Sequence, residues 1–441
     1  VEEAKERVKT ALVNSGIDFP NVKIIVNLAP ADIPKEGSNY DLPIAIGILN
    51  CLEIVTLPSD KSFFYGELSL DGTLRHTKGV FLLALAAKKE KVKNVFVPAP
   101  SANEASVVAG VNVYPVSDLG QLINHLNSGK VIKKAPSARF RSGAAAQKPV
   151  EFDFAEIIGQ EQAKRAITIA AAGGHNIFMQ GPPGAGKTML ARAIPGILAP
   201  LSLNESLEVT KIYSVTGNIE PGESLVRKRP FRSCHHTASR IGLIGGGSNP
   251  HPGEISLAHL GVLFLDEFPE FPRGALEALR QPMEDGVVTI SRAAGSVTYP
   301  AAFMLVAAAN PCPCGFLGDP KRECKCSPRM IMRYQAKLSG PLLDRIDLHL
   351  QVPAVDIDKL IAAPGAGIRQ KLETSDKVRE RVKRAKEIQI KRFKGAKIFT
   401  NAQMQNRDIK KFCQIEPGAQ RILKQAVSSY NLSARTYFRL I

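Results

Sequence analysis

The sequence contains no apolar run close to the roughly 20 residues that a membrane-spanning helix needs. It has no charged and then apolar leader of the secretory type, and it opens VEEAKERV without an initiator Met, which indicates a trimmed start. Cysteine is scarce, with 7 among 441 residues, and an odd number does not fit a disulfide scaffold. We therefore predict a protein without a membrane segment, located in the cytoplasm.

Acidic residues are in the minority, because 58 Lys and Arg stand against 41 Asp and Glu and give a formal net charge of +17. Residues 354–441 hold 20 of the basic residues and 8 of the acidic ones, a net +12. Such a run is typical of a solvated helical face, although it is also compatible with a polyanionic partner. The charge alone therefore does not identify the partner.

The length predicts about three domains, of which the first is residues 1–128. Its β-rich runs, at 22–29 and 94–99, alternate with helical runs, and this alternation predicts a compact α/β domain. Residues 129–150 contain Pro, Ser, Gly, Ala and basic residues without an apolar period. We predict a linker there.

Residues 151–353 alternate apolar strands with helical runs. This order predicts an α/β core in which helices sandwich a mainly parallel sheet. Beyond it the strands disappear, and helical runs at 376–391 and 417–429 predict a small basic helical lid over 354–441. The final FRLI falls inside a helical run, so we expect the lid to be truncated at its C terminus.

A phosphate-binding loop follows the apolar strand NIFMQ and precedes a helical run, which is the context that the motif G-x-x-x-x-G-K-[ST] requires. Its glycines let backbone N–H groups face phosphates at the N terminus of the helix. Lys187 is predicted to reach the β- and γ-phosphates of ATP, and Thr188 to bind Mg²⁺. The predicted ATP-binding residues are Gly181, Pro182, Pro183, Gly184, Ala185, Gly186, Lys187 and Thr188.

Two further strands end in polar side chains at the same predicted edge of the sheet, where open α/β proteins bind ligands. GVLFLDE ends in Asp266, predicted to hold Mg²⁺, and Glu267, predicted to polarise the attacking water. FMLVAAAN ends in Asn310, which can orient that water; an ordinary turn residue before Pro311 is the alternative. The pattern predicts an ATPase.

Two arginines are candidates for a catalytic role across a subunit boundary. Arg345 lies between apolar residues in LLDRIDLHL, and Arg435 lies in NLSARTYFRL within the lid. An arginine supplied by a neighbouring subunit neutralises the transition state of phosphoryl transfer and raises the rate about a thousandfold or more. This chemistry predicts a ring of identical subunits.

The order of these motifs resembles that of AAA+ ATPases of the magnesium-chelatase-like branch. The strings PFRSCHHTASRIGLIGGGSNPHPGEISLAHLGVLFLDEFPEF, TISRAAGSVTYPAAFMLVAAANPCPCG and LSGPLLDRIDLHL are similar to the ComM/YifB family, and the resemblance covers nearly the whole chain. It implies a homo-hexameric DNA helicase that promotes branch migration as transforming DNA is integrated, acting on single-stranded, forked or branched DNA. It also implies that Arg345 is the arginine finger and Arg435 the second sensor.

The resemblance assigns a role to two segments outside the ATP motifs. Residues 231–253 would be an insertion in a core helix and residues 289–300 a β-hairpin before the sensor strand, both lining a central channel. Cys234 stands where the family usually has Pro, which affects the expected loop shape but no catalytic group. The histidine pair 235–236 is either structural or available to DNA. The candidate DNA-contacting residues are Arg232, His235, His236, Arg240 and Arg292.

The first domain resembles a Lon-protease-like domain, through PKEGSNYDLP and GELSLDGTLRHTKGVFLLALAA. A proteolytic dyad needs a Ser nucleophile and a Lys of low pKa beside it. This sequence has Asp41 close to the position expected for the Ser, and Phe81 where the Lys would be. We predict no peptidase activity, and a DNA-facing or ring-stabilising platform in its place.

Four cysteines form the pattern C-x-C-x9-C-x-C in a Pro- and Gly-rich loop: Cys312, Cys314, Cys324 and Cys326. Four thiolates can make a closed tetrahedral Zn²⁺ site. The usual zinc spacing is C-x-x-C, so reduced structural thiols are an alternative, and a bound redox cluster is a third. None of these implies a catalytic role.

Two other functions fit an ATPase ring. In a magnesium chelatase the ring drives a partner that inserts Mg²⁺ into a porphyrin, although chelatase ATPase subunits are expected to lack the first domain. In a remodelling chaperone the ring acts on proteins, and the basic lid is only a soluble surface. DNA-dependent ATPase activity distinguishes the DNA motor from both.

Overall fold

A computed structural model of the chain divides into two compact units. The first unit comprises Val1–Gly143 and Ser202–Arg227, and the second comprises Ala144–Leu201 and Lys228–Ile441. The sequence segments did not anticipate that Ser202–Arg227 belongs with the first unit. The structure describes residues 2–29, 35, 37–127, 131–137, 151–220, 223–247, 250–292, 295–319, 322–354, 373–396, 398–430 and 434–441, so most of the predicted linker 129–150 lies outside it.

The first unit contains short strands and mostly short helices. Its helices are α1 (Glu2–Asn14), α2 (Asp41–Cys51), α3 (Val80–Lys89), α4 (Ala102–Ala105), α5 (Leu119–Leu126) and, from its second segment, the helix Leu203–Thr216, which is α8 in chain order. Its strands are β1 (Ser62–Phe64), β2 (Glu67–Leu68), β3 (Leu74–Arg75), β4 (Asn94–Pro98) and β5 (Asn112–Val116).

The main sheet of the first unit is parallel, in the order β1-β4-β5. Phe64, Phe96 and Tyr114 stack across its three strands with neighbouring ring centroids 4.8 Å apart. Helices α1, α2 and α5 pack with this aromatic face, whereas α3 and α4 pack with Val95 and Val97 on the other. The predicted α/β character of this region is confirmed.

Residues 22–29 are an exception, because they form no strand although they were predicted as one. Ile25 is 80% exposed and Val22 is 63% exposed. The run has the composition of a strand, but a strand also needs a hydrogen-bonded neighbour and a face to bury. In the part of the chain that the structure describes these residues pair with no strand, so the prediction is wrong.

Asp41 and Phe81, the two positions compared with a proteolytic dyad, are both fully buried. Nε and Nη2 of Arg7 donate to the two carboxylate oxygens of Asp41 at 2.9 and 3.2 Å. Phe81 packs among apolar side chains of α3 and the sheet. These two positions therefore supply neither a nucleophilic hydroxyl nor an amine, and the absence of peptidase activity stays a prediction.

The second unit is larger. Its helices are α6 (Glu161–Gly173), α7 (Lys187–Ile197), α9 (Arg240–Ile244), α10 (Glu254–Leu257), α11 (Arg273–Glu277), α12 (Arg280–Asp285), α13 (Pro328–Gln335), α14 (Gly340–Leu343), α15 (Ser375–Arg392), α16 (Asn406–Phe412), α17 (Pro417–Ser429) and α18 (Ala434–Leu440). Its strands are β6 (Ile177–Gln180), β7 (Phe231–Cys234), β8 (Gly245–Gly246), β9 (His251–Pro252), β10 (Val262–Leu265), β11 (Val287–Arg292), β12 (Gly295–Pro300), β13 (Met304–Ala309) and β14 (Leu348–Gln351).

Its central sheet has five parallel strands in the order β14-β6-β13-β10-β7. Every residue of β10 and β13 is buried. Continuous apolar runs of this kind are typical of parallel strands that are covered on both faces. Helices α6, α7 and α15 contribute to the core on one face, and α11 contributes to the core on the other. The predicted α/β core is confirmed.

The lid segment is helical, with no strand among the residues described beyond 373. Its first helix, α15, packs on the core, because Val378 and Val382 are buried there and the Phe154 N–H donates to Ser375 Oγ at 2.8 Å. The two predicted lid helices are confirmed as α15 and α17. Within the described ranges no helix combines the length and apolarity needed to cross a bilayer.

The predicted hairpin before β13, the strand that Asn310 follows, is confirmed. Strands β11 and β12 pair antiparallel, from the pair Val287–Pro300 to the pair Arg292–Gly295. The predicted insertion at 231–253 is wrong for its first four residues. These form β7, the edge strand of the central sheet, paired along β10. Among the described residues of 235–253, the chain forms α9, the short antiparallel pair β8–β9 and the loop before α10.

Candidate nucleotide-binding site

The phosphate-binding loop connects β6 to α7 at the carboxyl edge of the central sheet. Gly184 and Gly186 have φ angles of 77° and 85°, in the left-handed region that favours glycine. A Cβ on Gly181 would lie 2.1 Å from the carbonyl oxygen of Val352, so only glycine fits there. The loop conformation therefore depends on the glycines of the motif.

Lys187 is the first residue of α7, and its ammonium group lies inside the loop. Nζ donates to the carbonyl oxygens of Gly181 at 2.7 Å and Pro182 at 2.9 Å, and to Oδ1 of Asn310 at 3.1 Å. Burial lowers the pKa of Lys187, while the charge of Asp266 opposes that shift. The amine and the strand-end amide predicted for the same site are thus in direct contact.

Thr188 and Asp266 also meet, although they lie on different elements. Thr188 Oγ1 donates to Asp266 Oδ2 at 2.8 Å. A hydroxyl and a carboxylate oxygen are ligands that Mg²⁺ prefers in proteins. The donor set therefore fits Mg²⁺, which would neutralise charge on the phosphates and orient them.

Glu267 follows Asp266 and points towards a histidine. Its φ angle is 50°, a left-handed conformation that is uncommon for a residue other than glycine. Its Oε2 lies 2.8 Å from Nδ1 of His236, and its side chain is 53% exposed. The predicted base is therefore accessible to solvent and in contact with His236.

The two candidate arginines converge on one carboxylate rather than on the phosphate loop. Nη2 of Arg345 lies 2.8 Å from Glu284 Oε1, and Nη2 of Arg435 lies 3.1 Å from the same oxygen. Among the described residues, neither arginine forms a hydrogen bond or ion pair with the loop 181–188. Their position leaves open a role outside their own nucleotide site.

The candidate DNA-contacting residues are differently placed. Arg232, on β7, forms a two-point ion pair with Glu254 at 2.6 and 2.8 Å. His235 is exposed and its ring centroid lies 4.1 Å from that of His236. Arg240 is exposed and forms no ion pair in the described part of the chain. The side chain of Arg292 lies outside the described residues.

The four predicted zinc ligands are brought together after β13. Their sulfur atoms lie within 4.8 Å of one another, and Cys312 Sγ is 3.4 Å from Cys314 Sγ and 3.6 Å from Cys324 Sγ. Hydrogen bonding, chiefly from the backbone N–H of Phe316, lowers the pKa of Cys314 to about 6. Four convergent thiols fit a tetrahedral metal site.

This cysteine loop (residues 312–326) is packed against the phosphate loop. Gly315 has a φ of 85°, and a Cβ on it would lie 2.6 Å from Cδ of Pro183. Cys312 is fully buried and lies two residues after Asn310. The loop is therefore in a position to fix the conformation of both nucleotide-site elements.

Sequence reasoning did not find Glu284 or the contact between His236 and Glu267. Glu284 is one of two adjacent acidic residues at the end of a short helix, and no motif surrounds it. The family string indicates either a structural role or DNA contact for His236, yet the position of β7 beside β10 brings it to Glu267 at the carboxyl edge of the sheet. Only the sheet order, which the motif does not encode, could have indicated this.

Comparison with known proteins extends the likeness along the chain. Residues 153–360 match the family model described as magnesium chelatase, subunit ChlI, residues 1–101 match subunit ChlI of Mg-chelatase, and residues 372–441 match magnesium chelatase, subunit ChlI C-terminal. The magnesium-chelatase subunit ChlI of Oryza sativa subsp. japonica is 24% identical over 50% of the chain and 54% of its own length.

Two bacterial relatives are similar over the entire chain. The competence protein ComM of Haemophilus influenzae is 43% identical over 100% of this chain and 84% of its own length. The uncharacterized protein YifB of Escherichia coli is 42% identical over the same shares. With the five-stranded parallel core and the assembled phosphate loop, this identity places the chain in the ComM/YifB family of magnesium-chelatase-like AAA+ proteins.

Proposed function

We propose that this chain binds Mg-ATP and hydrolyses it. The observation that supports this best is the convergence of Lys187, Asn310, Thr188 and Asp266 in two hydrogen-bonded pairs beside the glycine loop. Lys187 contacts the β- and γ-phosphates, and Thr188 and Asp266 hold Mg²⁺. Glu267 accepts a proton from the attacking water, which Asn310 helps to orient.

Arg345 and Arg435 act on the nucleotide of a neighbouring copy of the chain. Each is ion-paired to Glu284 rather than to its own phosphate loop, which fits a role across a subunit boundary. A positive group supplied in this way stabilises the charge of the transition state. Hydrolysis therefore requires an adjacent copy of the chain, and we propose that the copies form a homo-hexameric ring.

The ring works on DNA as a helicase that promotes branch migration when transforming DNA is integrated by recombination. The full-length likeness to a competence protein and the net +12 of residues 354–441 support this assignment. Single-stranded, forked or branched DNA is the proposed substrate. The hairpin β11–β12 and the segment 235–253 are the proposed DNA-contacting elements, with Tyr299 of the hairpin donating to the carbonyl of Pro250 at 2.7 Å.

A chelatase subunit or a protein-remodelling chaperone is less well supported. The match of residues 1–101 to a model that bears the ChlI name means that the first domain does not by itself exclude a chelatase. The coverage is more informative, because the rice chelatase subunit matches only 50% of the chain, whereas ComM matches all of it. No feature of the described residues specifically favours a chaperone.

Two finer assignments complete the proposal. The cysteine loop binds one Zn²⁺ through its four thiolates. The protein acts in the cytoplasm, a reducing compartment that keeps thiols free, which fits its seven free cysteines.

The test is the ATPase rate of the purified chain with and without forked or four-way DNA, with strand displacement followed in the same samples. Glu267→Gln should bind ATP but hydrolyse almost none and displace no strand, whereas Lys187→Ala should bind ATP weakly. DNA stimulation that disappears in Glu267→Gln is the expected result. Vigorous hydrolysis that no DNA affects at low salt would refute the helicase assignment.

A further inference from the structure

Glu284 brings together two arginines that lie far apart in the sequence. Both guanidinium groups contact the same carboxylate oxygen, at 2.8 Å for Arg345 and 3.1 Å for Arg435. Arg345 is also anchored on its own element, because its Nη1 donates to the carbonyl of Pro341 at 2.5 Å, and its side chain is only 17% exposed. The three residues form one ion-pair cluster, in which Arg345 is largely buried while the side chains of Glu284 and Arg435 are 42% and 38% exposed.

Electrostatics explain why a carboxylate is needed between the arginines. Two guanidinium groups this close repel each other unless a negative charge lies between them. Burial would raise the pKa of Glu284, but hydrogen bonds and charge from Arg345 and Arg435 outweigh it and lower the pKa. Glu284 is therefore ionised at neutral pH, and the cluster retains a net charge of +1.

Pairing with Glu284 does not exhaust the donors of either arginine. A guanidinium has five N–H groups, and each arginine uses one of them for Glu284. Arg345 uses a second for Pro341. Both side chains therefore keep N–H groups that can donate to a phosphate while the carboxylate fixes their spacing.

The same carboxylate connects the arginines to the hairpin. Glu284 lies in the last turn of α12. Gly286, with a φ of 65°, is the single residue between α12 and β11. One turn earlier on the same face of α12, Arg280 Nη2 donates to Ser339 Oγ at 3.1 Å, and Ser339 is the N-cap of α14, which precedes Arg345. Two ties therefore fasten α12 to the segment that carries Arg345.

We propose that Glu284 is a positioning residue that holds Arg345 and Arg435 as one two-pronged unit for the phosphates of a neighbouring copy. This inference depends on the proposed ATPase ring. Glu284 itself touches neither the nucleotide nor the attacking water in this role.

The first experiment compares steady-state ATP hydrolysis by the full chain, Glu284→Gln and Glu284→Asp. Glu284→Gln should lower kcat roughly tenfold to a hundredfold, since a small misplacement of a catalytic group has a cost of that order. Its KM for ATP should stay within about twofold, because its own phosphate loop is intact. Glu284→Asp keeps the charge on a shorter arm and should lie between the two. Asp285→Asn is the matched control, an exposed neighbour that forms no ion pair in the described chain, and it should behave as wild type.

The second experiment mixes subunits and separates positioning from a purely structural role. Alone, Lys187→Ala should be nearly inactive, and Glu284→Gln should keep only about a tenth to a hundredth of the wild-type rate. In mixed rings a Lys187→Ala subunit supplies intact arginines to the intact ATP site of a Glu284→Gln neighbour, so activity should reappear. Mixed rings of normal size that stay inactive, or a kcat of Glu284→Gln at or above that of wild type, would overturn the inference while the wild-type ATPase stands. Absence of hydrolysis by the wild type would instead refute the proposed function and the inference with it.

Discussion

Thr188 and Asp266 are 78 positions apart in the sequence, yet a single hydrogen bond of 2.8 Å joins them. The contact is made possible by β10 and β6, which both end at the same edge of the sheet with β13 between them. Each side chain offers an oxygen to a hard cation. Their pairing brings two candidate metal ligands together at this edge.

Replacement of Thr188 by Val removes the hydroxyl but keeps the shape of the side chain. We expect ATP hydrolysis by Thr188→Val to require at least about tenfold more Mg²⁺, because one oxygen ligand is lost while the phosphate loop and Lys187 are unchanged. A Mg²⁺ titration of the ATPase rate measures this. Thr188→Ser retains the hydroxyl and should restore the wild-type requirement; equal Mg²⁺ curves for Val and wild type would argue against Thr188 as a ligand.

At this scale the sequence predicted residue types better than contacts. Lys187, Asn310, Thr188 and Asp266 could be named because a glycine loop between strand and helix, and polar strand ends, have a regular arrangement in parallel sheets. The partner of Glu267 could not, because His236 reaches it from a strand adjacent in space rather than in sequence. The shared carboxylate of Glu284 was missed for the same reason.

The cysteine loop packs against the phosphate loop. It begins two residues after Asn310, and Gly315 packs closely against Pro183 of the phosphate loop. Tyr334 of α13, which follows the cysteine loop, is buried, and burial raises its pKa to about 12. A metal that fixes this loop would therefore stabilise the nucleotide site without touching nucleotide.

Removal of one thiol tests the metal and its effect together. We expect about one Zn²⁺ per wild-type chain by elemental analysis, and almost none in Cys314→Ser, because three thiols and a hydroxyl no longer form a closed tetrahedral site. The ATPase rate of Cys314→Ser should fall as the loop loosens. Cys51→Ser, which removes an exposed thiol of the first unit, is the matched control and should keep both zinc and rate. Wild-type protein free of zinc after purification without chelators would leave the thiols as reduced structural groups.

Elements were predictable where one strand or helix is apolar along its whole length or on one face. The runs VLFL and MLVAAA gave β10 and β13, and the lid helices followed from their period. Residues 22–29 failed because strand composition does not supply a strand partner, and 231–234 failed because a short edge strand of mixed polarity has no such pattern. The membership of Ser202–Arg227 in the first unit was not predictable either, since it depends on side-chain packing.

Helix α8 is attached to the first unit partly through a buried carboxyl group. Glu104 is 5% exposed, Ser214 Oγ of α8 donates to its Oε2 at 3.1 Å, and Nε2 of His76 lies 3.6 Å from its Oε1. Burial raises the pKa of Glu104 above its usual 4.5, although these hydrogen bonds oppose the shift. A raised pKa in the folded state favours the protonated carboxyl.

This shift predicts a pH dependence of stability in the whole molecule. The contribution of a group with a raised folded pKa is fully present below its unfolded pKa and is lost as the pH rises through the folded pKa. Glu104→Gln keeps an acceptor for Ser214 without a buried charge. The free energy of unfolding of Glu104→Gln minus that of wild type, obtained from thermal unfolding, should therefore rise between pH 5 and pH 8, by up to about 1 kcal/mol. Glu90→Gln, at an exposed position, is the control and should show a constant difference. A difference that stays constant with pH for Glu104→Gln would mean that Glu104 is ionised in the folded state over the whole range, which contradicts the raised pKa.

The net charge of +17 determines how the whole molecule should respond to salt. If basic side chains neutralise DNA phosphates, the logarithm of the affinity falls linearly with the logarithm of the salt concentration, by roughly 0.7 to 0.9 per phosphate contact. We expect a steep slope for a labelled forked DNA, measured by fluorescence anisotropy in Glu267→Gln with ATP so that hydrolysis does not move the complex.

Arg240→Gln should reduce that slope by about one contact, because Arg240 is exposed beside the Gly-rich pair β8–β9. Arg273→Gln removes another exposed charge, on α11 and outside the proposed DNA-contacting elements, and should leave the slope unchanged. Equal losses for both variants would mean that DNA responds only to the overall charge, and a flat salt dependence for every variant would remove DNA as the substrate.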